Sequence, residues 1–90
     1  MPKMIDKVSM IIRRAMRAGE SRSWPYDAGY KNGQLSLFHY NTLIFRGRKG
    51  QLLEVGGYSV SDQNAIYTAM REMDIGGNVI RRGGTLRIIQ

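Results

Sequence analysis

Ten arginines and four lysines face seven acids in this 90-residue sequence, a formal charge of +7. Arginine's planar fork grips phosphate and carboxylate with two prongs, so the arginine bias suits anion recognition more than plain solubility. The cations fall into three groups. Lys3, Lys7, Arg13, Arg14 and Arg17 share the outer side of an N-terminal helical pattern, with Asp6 the only acid among them. Ordinary solvated faces mix signs to gain i, i+4 pairs, and this one does not. Arg46, Arg48 and Lys49 crowd together beside Gly47 and Gly50. Such a loop is either a probe for phosphate or an acidic surface, or an edge and solubility device. Arg81, Arg82 and Arg87 make the third group. Aromatic residues are interleaved with this charge, and strand aromatics are platforms for unpaired bases. Most of them must build the core of so small a domain. Trp24, beside Pro25 and two residues from Arg22, is either a core anchor or a stacking platform.

Other chemistry is poorly supplied. His39 is the single histidine and cannot build a metal site alone. No carboxylate stands at a suggestive spacing from it, so a half-buried strand position is expected. The chain has no cysteine, which excludes a disulfide framework, a thiolate zinc site and a cysteine nucleophile. No serine lies in a Gly-x-Ser-x-Gly elbow. Gly47-Arg48-Lys49-Gly50 lacks both the spacing of a phosphate loop and a helix to receive the phosphate. Asp62, Glu72 and Asp74 fall on or beside a second helical pattern, where capping and solvation explain them. The expectation is therefore a non-enzymatic protein with no catalytic residues, no metal and no cofactor.

A chain of 10.2 kDa with 42% apolar residues is one domain over 1–90 with a real core. At this size only about 60–65% of the unfolded surface is buried, so the stability margin is thin without oligomerisation. No apolar run approaches the roughly 18 residues of a membrane span. The N-terminal apolar residues alternate with Lys3, Asp6, Lys7, Arg13 and Arg14, unlike a signal peptide. A cytoplasmic protein without a membrane partner is expected.

The elements that position these groups read as follows. Met4, Ile5, Val8, Ile11, Ile12 and Ala15 trace one helical face, with Pro2 at the start and Gly19 as the stop. Residues 19–25 show no period and are expected to form a loop, followed by a short edge strand at 26–31. Asn32-Gly33 signals a hairpin turn, since both positions of a type I′ turn need positive φ. Gln34 to Arg46 reads as one long strand bent near Asn41, with both faces partly covered. The basic loop 47–50 then closes a hairpin onto 51–55. After Gly56-Gly57, Tyr58-Ser59-Val60 leads into a second helix capped by Ser61 or Asp62. Ile66, Ala69, Met70 and Met73 form its apolar face, and Gly76-Gly77 ends it. The methionines read as adaptable core filling. A last hairpin turns on Gly83-Gly84, pairing Arg82 with Thr85, Ile80 with Arg87 and Val79 with Ile88. That register sets Arg82 and Arg87 on diagonal positions of one face. The order predicts an α+β fold: a small single domain, an antiparallel sheet of hairpins with two helices packed on it.

The run Leu35-Ser36-Leu37-Phe38-His39-Tyr40-Asn41-Thr42-Leu43-Ile44, followed by Gly57-Tyr58-Ser59-Val60-Ser61 and a helix, resembles a small uncharacterised domain of bacteriophage and plasmid proteins. The resemblance covers about residues 33–73 and rests on Tyr40-Asn41-Thr42 and Tyr58-Ser59. Those proteins often carry a basic residue or histidine early in the second helix, where Gln63 and Asn64 stand here. It brings no activity or site residues. It implies a mobile-element origin, a setting in which small proteins manipulate host machinery or counter host defence.

Together these features predict a binder of a polyanionic target, either nucleic acid or an acidic host nucleoprotein surface such as a CRISPR effector with its guide RNA. Lys7, Arg13, Arg14, Arg17, Arg46, Arg48, Lys49, Arg82 and Arg87 are the candidate contacts, with Trp24 stacking. Two other classes stay open. One is an assembly protein that homo-oligomerises through a strand edge near Ile88 and Ile89. The other is a sponge for a phosphorylated signal molecule.

Overall fold

A computed structural model describes the backbone of residues 4–90 and the side chains of residues 7–90. Pro2 and Lys3, and the side chains of Met4, Ile5 and Asp6, lie outside the described residues. The elements are α1 (Met4–Ala18), β1 (Glu20–Ser23), β2 (Tyr26–Lys31), β3 (Gln34–His39), β4 (Thr42–Arg48), β5 (Gln51–Val55), α2 (Val60–Glu72), β6 (Asn78–Arg82) and β7 (Thr85–Ile89). Strands β1 to β5 form an antiparallel meander in chain order, and β6 pairs with β7 in a separate small sheet. This is an α+β domain.

Helix α1 buries Val8, Ile11, Ile12 and Ala15, the stripe that its spacing predicts. Gly19 adopts φ +95 and donates its N–H to the Ala15 carbonyl at 2.7 Å, closing the helix where expected. Below it, one face of the meander buries Tyr26, Ala28, Leu35, Leu37 and Phe45. Helix α1 lies over β1 and β2, while α2 packs against α1, β4 and β6. Ile66, Ala69 and Met70 of α2 and its C-cap Met73 complete the core together with Val79 and Leu86 of the last hairpin. The Asn32-Gly33 turn has φ 53 and 80, and Gly83-Gly84 has φ 61 and 81. Both are turns with two positive φ angles, and the β6–β7 register is the expected one.

Elsewhere the chain departs from the expectation. Residues 20–23 are a strand and not a loop, pairing Glu20 with Gly29 through Ser23 with Tyr26. Its inward positions are the half-buried Ser21 and Ser23, which leave no apolar signal. Consequently Tyr26–Lys31 is an interior strand rather than an edge. The long strand at 34–46 is two strands, because Tyr40 and Asn41 turn the chain with φ 52 and 64. Asparagine tolerates that region, whereas tyrosine seldom enters it. Ile44 and Phe45 are both buried although adjacent. Phe45 pairs with Leu37 and Leu43 with Phe38, so Ile44 is the extra residue of a β-bulge. The basic loop is also tighter than expected: Arg48 still pairs with Gln51, and only Lys49 and Gly50 turn. Finally, Ser59 caps α2 in place of Ser61 or Asp62. The helix ends at Glu72, before the left-handed Asp74, rather than at Gly76-Gly77.

Candidate nucleic-acid interface

Beside the buried stripe of α1, a second set recurs at i, i+3, i+7 and i+10: Lys7, Met10, Arg14 and Arg17. Met10, Arg14 and Arg17 are exposed and Lys7 is half-buried. Ten residues of helix carry this stripe about 15 Å along the surface. At its C-terminal end lies a groove of about 460 Å³ lined by Met10, Arg13, Arg14, Met16, Arg17, Lys49 and Glu72. Lys49 reaches it because the Gly50 N–H donates to the Met73 carbonyl at 2.7 Å, pinning the β4–β5 turn to the end of α2. One member of the second basic group, Lys49, therefore meets the helix group on one surface.

Part of that charge is matched. Arg13 pairs with Glu72 at 3.1 Å, and Ser9 donates to the same carboxylate. Lys49 pairs with Asp74 at 3.2 Å. Arg14 and Arg17 have no acid partner among the described residues. Arg46 and Arg48 do not join the groove. Arg46 lies on the sheet face away from the helices and pairs with Glu54 at 3.3 Å. Arg48 donates to the Asn32 carbonyl at 2.9 Å. Thus acids distant in sequence answer Arg13 and Lys49, and a cross-strand acid of the same hairpin answers Arg46. Arg82 and Arg87 are exposed on one face of the β6–β7 hairpin, diagonal as the register requires. They belong to an element that packs on α2 and do not line the groove.

At the other end of the stripe, Lys7 Nζ donates to the Trp24 carbonyl at 3.0 Å. Trp24 is 57% exposed and meets Tyr40, 61% exposed, edge to face with ring centroids 5.6 Å apart. Of the two readings left open by the sequence, the core anchor is excluded. Behind Tyr40 sits His39, whose ring stacks on Tyr26 at 4.4 Å. The His39 Nδ1–H donates to Asp62 Oδ1 at 2.6 Å. Asp62 is buried and also accepts from the backbone N–H groups of Tyr58 and Ser59. Burial pushes its carboxyl up, but the bonds from His39, Tyr58 and Ser59 outweigh this and hold it below the ordinary 3.8. Burial, followed by the Asp62 charge, raises the Tyr26 hydroxyl.

Comparison with family models, curated proteins and solved structures finds no match. Tyr40-Asn41 is the β3–β4 turn, Ser59 is the N-cap of α2, and the His39–Asp62 bond joins these two places in the chain. The histidine lacks a partner only in sequence, since Asp62 lies 23 positions away. The sole local hint was the Ser59-x-x-Asp62 spacing of a capping box. Among the described residues no three metal-ligating side chains converge, and no helix is long and apolar enough to cross a membrane.

Proposed function

We propose that this protein is a non-enzymatic binder of nucleic acid that grips the phosphate backbone along α1. The observation that supports this reading is the pair of exposed arginines, Arg14 and Arg17, without acid partners among the described residues, on a groove that Lys49 also lines. Lys7 extends the track toward the N-terminal end of the helix. Such contacts fix position without reading sequence. Glu72 and Asp74 hold Arg13 and Lys49 in place, so the free forks make first contact. The phage and plasmid resemblance would set this activity in a bacterial cytoplasm, against a host nucleic-acid complex such as a guide-RNA effector.

Fluorescence anisotropy with labelled DNA and RNA across a salt series tests the reading. Each phosphate neutralised contributes a log–log slope of about −0.7 for single strands, so three or four contacts give about −2 to −3. Arg14→Glu with Arg17→Glu is expected to cost at least about tenfold in affinity and to flatten the slope by more than one unit. Arg46→Ala with Arg48→Ala should change little. Unchanged binding in the first double variant removes the groove from the reading.

A further inference from the structure

We infer that Trp24 and Tyr40 form a stacking corner for an unpaired base, making the ligand a single strand. This rests on the backbone reading above and deepens it. The domain is too small to leave its only tryptophan outside the core for stability. Tyr26 and Phe45, by contrast, are 1% and 0% exposed. Trp24 lies in the β1–β2 turn and Tyr40 in the β3–β4 turn, which the antiparallel register brings to the same end of the sheet. The Tyr40 N–H donates to the Pro25 carbonyl at 2.8 Å, joining the two turns.

The corner is built before any ligand arrives. Tyr40 leans on the His39 ring at 4.6 Å, His39 stacks on Tyr26, and Asp62 fixes the His39 ring from α2. A ring held this way loses little freedom on binding. The Trp24 and Tyr40 planes stand at 83°, so a base that stacks on one ring stands nearly perpendicular to the other. A duplex keeps its base faces inside the helix and cannot offer one, whereas a single strand can splay a base out. Lys7 sits beside the corner, and the stripe to Arg17 runs about 15 Å, the length of about four stacked nucleotides at about 3.4 Å each. Cations for the phosphates and rings for a base thus share one track.

Because Trp24 is the sole tryptophan, its own fluorescence reports the corner. The full chain is titrated with an oligothymidylate, a duplex of equal length and heparin, with affinities measured separately by calorimetry. Expected are quenching by oligothymidylate alone and weaker binding of the duplex. Tyr40→Asn, which suits the left-handed turn, should weaken oligothymidylate by about fivefold or more and leave heparin unchanged. Oligothymidylate bound without a change in Trp24 emission, a duplex bound as tightly, or equal losses for oligothymidylate and heparin would each overturn the corner while sparing the backbone reading. No binding of any of the three polyanions overturns both.

Discussion

Asp62 joins two parts of the chain that have no local reason to meet. Its Oδ2 accepts from Tyr58 and Ser59 at the start of α2, and its Oδ1 accepts from His39 at the end of β3. Removing the carboxylate strands three donors at a half-buried site. Asp62→Ala is therefore expected to cost about 2–3 kcal/mol near neutral pH, measured from urea midpoints. The folded state holds this carboxyl below its ordinary 3.8. Its contribution is present above that value and is lost as pH falls through the folded pKa. The gap in midpoint between the native chain and Asp62→Ala should accordingly narrow as pH falls through 3.8 into the more acid range. A gap that stays constant would mean that Asp62 acts through packing alone. The capping spacing of Ser59 and Asp62 was legible in the sequence, but the bond to His39 was not, because helical and strand periods report faces of single elements. They do not report which element ends will touch.

At the scale of elements, what the sequence disclosed follows the turn chemistry. Asn32-Gly33 and Gly83-Gly84 carry residues that accept positive φ, so their hairpins and the β6–β7 register follow directly. Tyr40-Asn41 makes a comparable turn with a tyrosine in the left-handed region, and a run of strand formers conceals it. Strand β1 is hidden for a different reason. Its inward side chains are serines lying under α1, and a strand without apolar alternation gives no period to detect. The last hairpin shows how side chains attach an element that could not stand alone, since two strands in isolation are marginal. Tyr67 accepts the Val79 N–H at its hydroxyl, Gln63 donates to the Val79 carbonyl, and the Leu86 N–H donates to the Gly57 carbonyl. Tyr67→Phe leaves the Val79 N–H unpaired, at a cost of about 1–3 kcal/mol. The expected readout is local: hydrogen exchange should quicken at Val79 and Leu86 and stay slow at Leu35 and Leu37. Uniform acceleration would show instead that the hairpin and the meander open as one unit.

For the whole molecule, the three basic groups of the sequence become one track and two outliers, and the track is what favours the proposed binding over mere solubility. Charge spread evenly would keep copies apart without favouring any ligand, whereas Lys7, Arg14, Arg17 and Lys49 fall along one side. The competing reading, assembly through strand edges, depends on how those edges are finished. Strand β1 is four residues long with Glu20 and Arg22 exposed. Strand β5 carries an extra residue, Leu53, between the Arg46–Glu54 and Gly47–Leu52 pairs. Short strands, charges and bulges are the devices by which edges avoid pairing with a second copy. On β7, Leu86 already donates to Gly57, although Ile89 remains 52% exposed. With a charge of +7 adding repulsion, light scattering should give a single mass of 10.2 kDa at both low and high salt. High salt is the stringent arm, because screening removes the repulsion and leaves only the edges to oppose pairing. A mass of twice that value, abolished by Ile89→Lys, would place the pairing edge on β7 and favour assembly over the proposed ligand binding.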